Sequence, residues 1–362
     1  MIIYVFLLFS LFLLSPDLND RTKLVSTFFI FVLTSALLGL RSIYVGVDTN
    51  EYYWIYSLSS NNPAHEYIET LEPSFILINK MFSLFSEDAS IMILFISVFV
   101  MLSVSIFIYR YSNCLFLAWL GFLSFGQFFA FHNVMRQSLA VAIVLFSVKY
   151  ILNRNFLAFL LILLLAFSFH YSAIVFLPVY FFNQLKFSSY KFIFLWLCSI
   201  PFIFSSHIFI NIFEIAAYFI PEHYVSFLTD SRVISHGGKG LGIRIVFTQF
   251  IIIMLIFSYH IIDNEELKYE RMPQLDILFI SVSLVALILA NVFYNVGLIT
   301  RLLHYYTIFV PIGIPIALCV LFKKESRVLS MAALSLFYTL LFFRGLLTDS
   351  HGIFPYSIFI SM

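Results

Sequence analysis

Five arginines stand alone at the edges of apolar stretches: Arg41, Arg136, Arg244, Arg301 and Arg344. A guanidinium so placed has two uses. It can reach along its own apolar stem to lipid headgroups, or it can grip a phosphate through two parallel N–H donors. Ionisable groups at membrane depth are costly, which makes each a functional candidate. With few carboxylates near them in sequence, the five together suit a polyanionic partner, foremost a lipid pyrophosphate. His170, in "FHYSAIVFLPVYF", lies in a connection too short to leave a membrane edge. It is either a satisfied packing residue or a proton acceptor working near neutral pH.

A second constellation is "RSIYVGVDTNEYYWIY", residues 41–56, which follows a charge-free run from Leu24 to Leu40. Tyr52 and Tyr56 fall four residues apart, on one face of a short helix that Asp48 can cap. One reading is an interfacial helix with an aromatic belt. The other is a sugar platform, with rings for stacking and Asp48, Glu51 and Glu72 for hydroxyls. Both stay open on the residues alone. His304 accompanies Arg301 in "NVGLITRLLHYYTIF", and Gln137 follows Arg136 in "MRQSLAVAI".

The elements that must hold these groups are membrane helices. The chain has 362 residues, 62% hydrophobic and 11% charged, with mean hydropathy +1.00 and 47 phenylalanines. That composition defines a polytopic membrane protein. A net charge of +1 excludes a nucleic-acid binder, which needs a basic patch. Cys114, Cys198 and Cys319 lie inside apolar runs and form no CxxC pair. No P-loop, HExxH, GxSxG or DxD motif occurs, so no metal or cofactor is expected.

A span needs roughly 17–25 apolar residues. Charges and turn residues divide the chain into about twelve candidates, near 2–15, 24–40, 89–108, 114–131, 138–152, 156–169, 172–185, 192–206, 245–262, 275–294, 305–322 and 328–343. The expected fold is therefore all-α, one transmembrane domain over 1–362. The first apolar run reads as a retained helix, lacking a basic leader and a small-residue cleavage site. Two long loops, 41–88 and 207–244, fall on one side, the second holding an interfacial or re-entrant helix. Twelve of the twenty Lys and Arg residues fall on the opposite side, which marks it as cytoplasmic. Both termini and eight of the nine histidines then lie outside, and function is sought there. Arg136, His170 and Arg301 sit at the outer ends of three spans, where packing could gather them around one pocket.

Across these segments the chain resembles the EpsG family of polysaccharide biosynthesis proteins, related to Wzy-type repeat-unit polymerases. The resemblance rests on "GVDTNEYYWIY" (46–56), "EPSFILIN" (72–79), "MRQSLAVAI" (135–143), "FHYSAIVFLPVYF" (169–181) and "FPYSIF" (354–359), in order along the chain. It implies a membrane glycosyltransferase, of GT-C type by analogy, at the outer leaflet of a bacterial cytoplasmic membrane. Its substrate would be an undecaprenyl-pyrophosphate-linked oligosaccharide, the product an O-antigen, capsule or exopolysaccharide, and a partner a Wzz-type chain-length regulator. On this reading Arg136 and Arg301 hold the pyrophosphate, with Arg41, Arg244 and Arg344 behind them. His170 or Asp48 is the base, and Tyr52, Tyr56, Glu72, Gln137, His304 and Tyr356 contact sugar. A lipid-linked oligosaccharide flippase, an O-antigen ligase and a membrane acyltransferase are the rivals.

Overall fold

The computed structural model describes residues 2–11, 19–61, 71–182, 187–204, 243–264, 273–294, 300–349 and 351–359. Loop residues 207–242, the glutamates Glu66 and Glu69, and His65 lie outside them. The described residues are helical, with no strand beyond an isolated bridge between Arg41 and Ile358. Among the described residues seven helices are long and apolar enough to cross a membrane, by length and composition. Shorter apolar helices, among them Leu115–Ser124, Phe156–Phe169 and Ser189–Phe204, fall where further spans are expected. The described residues form two compact units, 1–180 with 325–362, and 181–324.

In the first unit, α1 (Ile2–Ser10) precedes α2 (Asp20–Gly39), which Asn19 caps by accepting the Thr22 N–H at 2.9 Å. Two short helices follow, α3 (Thr49–Asn61) and α4 (Pro73–Ser83), the latter opening with proline, whose missing N–H costs nothing there. Next come α5 (Ser90–Tyr111), α6 (Leu115–Ser124), α7 (Gln127–Ala130), α8 (Met135–Leu145), α9 (Val148–Leu152) and α10 (Phe156–Phe169). A 3-10 helix, Tyr171–Phe181, carries Pro178 inside it. The expected span 114–131 is broken between α6 and α7, because Gly126 takes φ +79, a left-handed conformation that ends a helix. α5 packs against α2 and α8, α8 against α10, and α4 against α3 and α10. The last helix, α16 (Lys324–Thr348), sets Tyr338 and Phe342 against Phe125 and Phe129.

The segment after α16 returns to the start of the first long loop. Ser42 N–H donates to Ser357 O at 2.9 Å, Phe359 N–H to Leu40 O at 2.8 Å and Gly46 N–H to Gly352 O at 2.8 Å. Tyr4 of α1 packs edge-on to Phe354 and Tyr356. The start of α1, the loop after α2 and residues 351–359 therefore share one end of this unit.

The second unit contains α11 (Ser189–Phe204), α12 (Ile243–Asn264), α13 (Pro273–Val292), a 3-10 turn Arg301–Leu303, α14 (His304–Thr307) and α15 (Val310–Leu321). α13 is its centre, packing on α11, α12 and α15. Gly313 lets α15 approach α13 closely, since a Cβ there would strike Ser283 Oγ. Trp196, Gln249, Asn291 and Ser199 join α11, α12 and α13 by hydrogen bonds of 2.7–3.1 Å. Such side chains need partners inside an apolar bundle, and here they supply one another.

Candidate functional site

Glu72 is the residue that brings the first unit's chemistry together. It caps the N-terminus of α4 with extended backbone and is 3% exposed. Its Oε2 accepts from Arg136 NH1 at 2.7 Å, and its Oε1 lies 2.6 Å from His170 Nδ1. Arg136 is the second residue of α8, and His170 directly follows α10. All three thus stand at helix ends. Arg136 and His170 are partly exposed, at 25% and 27% of their side chains, whereas the Glu72 side chain keeps 4%. A covered carboxylate therefore faces a cation and an imidazole that both remain open. The Arg136 guanidinium also lies over the Phe75 ring, 5.8 Å from its centre.

Burial alone would raise the Glu72 pKa, but the His170 hydrogen bond and the Arg136 charge outweigh it and hold the carboxyl at about 2. Glu72 is therefore an anion at any physiological pH. A carboxylate accepts only, so the 2.6 Å contact places the proton on His170 Nδ1. The Nε2 carries no hydrogen bond among the described residues. A carboxylate holding one ring nitrogen so that the other can take a proton is the arrangement of a general base and its orienting partner.

Arg41 is placed differently. It is 2% exposed, directly beyond α2. Its guanidinium donates to Leu38 O, to Thr49 Oγ1 at 3.1 Å and to His132 O at 3.0 Å. No described carboxylate pairs with it. Burial lowers its pKa to about 10, which leaves it charged. Burial, then the Arg41 charge, holds the neighbouring His132 ring down at about 3. A guanidinium covered in this way braces the loop from inside; it does not face an incoming phosphate.

Tyr52 and Tyr56 do share a face of α3, but that face is buried. Tyr52 donates to Asn133 O at 2.8 Å and Tyr56 to Ser86 O at 2.7 Å. The exposed rings here are Trp54 and, before the helix, Tyr44, at 46% and 88%. Asp48 is half-buried, and its backbone carbonyl accepts the Tyr52 N–H at 3.4 Å. Gln137 is buried beside Arg136. Tyr356 donates to Leu37 O at 3.0 Å. Arg344 is exposed on α16. Arg301 and His304 belong to the second unit, exposed and half-buried respectively, and Arg244 lies in the first turn of α12.

The sequence marks Arg136, His170 and Glu72 alike, the last as a sugar contact, but does not show that the carboxylate joins the other two. Glu72 lies 64 residues from Arg136 and 98 from His170. Asn133 was not singled out at all, although it touches two distant segments, around residues 47–52 and at His351. The only available signal was its place beside "MRQ".

In the first unit a shielded carboxylate thus joins an arginine and a histidine, all three at helix ends. The sequence model of the EpsG family matches residues 24–358, nearly the whole chain, and the chain belongs to that family of Wzy-type polysaccharide polymerase-like proteins. No curated protein and no solved structure matches it.

Proposed function

We propose that the protein polymerises oligosaccharide repeat units carried on undecaprenyl pyrophosphate, at the outer leaflet of a bacterial cytoplasmic membrane. The observation that carries this reading is the His170–Glu72–Arg136 cluster in a chain of the EpsG family. His170 Nε2 takes the proton of a sugar hydroxyl on the incoming unit. That oxygen bonds to the anomeric carbon of the growing glycan. The bond from this carbon to the pyrophosphate oxygen breaks, and the electron pair leaves with the lipid pyrophosphate. Arg136 stabilises the charge that develops there, and Glu72 stabilises the imidazolium. A positioned base contributes about 10²–10⁴ in rate, and one donor aimed at developing charge about 10²–10³.

In this reading Arg344 stands behind Arg136 in the clamp, and Arg41 holds the loop that carries the sugar contacts. Asp48, Trp54 and Tyr44 are the loop groups that meet sugar. The shorter helices complete a set of about twelve spans, in a GT-C-like arrangement. A Wzz-type regulator would set chain length. The position of the cluster at helix ends favours transfer over flipping, since a flippase would line a mid-membrane cavity with its charges.

A clean deletion, with the surface glycan resolved on a gel, tests the proposal. Loss of long chains with a single unit retained supports a polymerase. Loss of every unit, or unchanged chains, overturns it.

A further inference from the structure

Asn133, in the turn between α7 and α8, has no role in the transfer described above, yet its side chain holds backbone groups on two distant segments. The orientation of its amide is fixed by its partners. Oδ1 accepts the Val47 N–H at 2.7 Å, and Nδ2 donates to His351 O at 3.0 Å. Its own carbonyl accepts the Tyr52 hydroxyl at 2.8 Å, and the Tyr52 oxygen accepts the Met135 N–H at 2.9 Å. One residue thus joins the loop after α2, the start of α8 and the segment after α16.

The connection continues to the cluster. The first N–H groups of a helix have no partner inside it, and Met135 uses Tyr52 for this purpose. Arg136 is the next residue. The Tyr52 ring packs edge-on to Phe75, 6.2 Å away, and Phe75 N–H donates to Glu72 O at 3.0 Å. Asn133 and Tyr52 therefore pin the backbone that carries Arg136, and Phe75 the backbone that carries Glu72. The packing around the amide is tight. Gly46 has φ +93, and a Cβ there would lie 2.8 Å from Asn133 Oδ1.

We propose that Asn133 is a positioning residue for the transfer reaction: with Tyr52 it fixes the start of α8, so that the Arg136 guanidinium is held against Glu72 and stays aimed at the leaving pyrophosphate. Through His351 the segment after α16 becomes part of the same brace. The proposal rests on the reading of Arg136 and Glu72 as part of the reacting site. A misplacement of about 1 Å at such a site costs about 10²-fold in rate, whereas substrate affinity, spread over many contacts, changes little.

Two measurements on the full-length protein in nanodiscs test this. In the first, Asn133→Ala is expected to lower kcat for polymerisation by about 10–100-fold. KM for the lipid-linked unit should stay within about threefold, and the same change in an Arg136→Lys background should cost less than about threefold, because the aim is already lost. A full second loss in that background, or a change confined to KM, overturns the proposal. The second measurement needs no activity. Amide hydrogen exchange over 46–52 and 135–138 should quicken at least tenfold in Asn133→Ala, while α5 keeps its protection; unchanged exchange overturns the proposal. If the wild-type protein does not polymerise, the functional reading fails by itself and the exchange measurement alone decides whether Asn133 holds α8. Should Asn133→Ala fail to accumulate, Asn133→Asp, which keeps the acceptor for Val47 and loses the donor to His351, carries the same readouts.

Discussion

His170 Nδ1 and Glu72 Oε1 lie 2.6 Å apart across 98 residues of sequence, and the carboxylate that makes the contact is almost wholly covered. The imidazole is thereby held in one direction. The same carboxylate takes Arg136 on its second oxygen, so imidazole and guanidinium are set relative to each other by a single buried anion.

Glu72→Gln tests that anion. The amide keeps the shape but loses the charge that both partners use. Turnover should fall by about 10²–10⁴, the range for a base that loses its orienting carboxylate. Unfolding stability should fall by roughly 1–3 kcal/mol, modest because Arg136 and His170 stay partly solvated. Single-turnover polymerisation and thermal unfolding at matched protein levels check both.

The pH dependence follows from the direction of the Glu72 shift. Its carboxyl is lowered from 4.5 to about 2. A depressed carboxylate contributes stability that is fully present above the unfolded value and lost as pH falls through the folded one. The stability difference between wild type and Glu72→Gln should shrink as pH falls from 4.5 to about 2. Unfolding measured across that window shows whether it does.

Arg136→Lys should lose about 10–100-fold in turnover despite its retained charge, since an ammonium lacks the planar fork that pairs two oxygens. Arg41→Lys should behave otherwise. Arg41 is covered and bound to three internal oxygens, so the loss should appear as reduced membrane level and melting temperature, with turnover per folded molecule within about threefold. Parallel quantification of folded protein and turnover separates the two arginines.

Much of the helix layout was legible in the sequence, because long charge-free runs bounded by Arg, Lys and Asn leave few ways to place a helix. α2 and α5 fall where the apolar pattern puts spans. What was not legible depends on single backbone conformations: the break at Gly126, and the 3-10 geometry of Tyr171–Phe181 around Pro178. α4 escaped notice although Glu72–Pro73 is a helix-start signal. Arg136 and His170 were visible as polar groups at span mouths. Their junction was not, since no local pattern links residues 64 and 98 positions from a glutamate. Arg41 and the Tyr52–Tyr56 pair suggested a binding surface because residue type says nothing of burial; tertiary packing turned them inward.

Two glycines with similar φ should respond differently to alanine. At Gly46 (φ +93) the new Cβ meets Asn133 Oδ1 and Thr49 Oγ1 at 2.8 Å each, whereas at Gly126 (φ +79) nothing lies within 4 Å. Gly126→Ala should cost only the left-handed backbone, about 1–2 kcal/mol. Gly46→Ala should cost about 1–3 kcal/mol more from the crowding and should also slow turnover. Melting temperature and turnover of both variants provide the comparison.

The central claim is that His170 is the base held by Glu72, and the most direct measurement is single-turnover polymerisation of a purified lipid-linked repeat unit by His170→Ala beside Asp48→Asn, each at wild-type membrane level. His170→Ala is expected to lose about 10²–10⁴ in rate, while Asp48→Asn retains most of its turnover. Near-normal turnover by His170→Ala, with activity abolished in Asp48→Asn, would contradict it and move the base to the first loop.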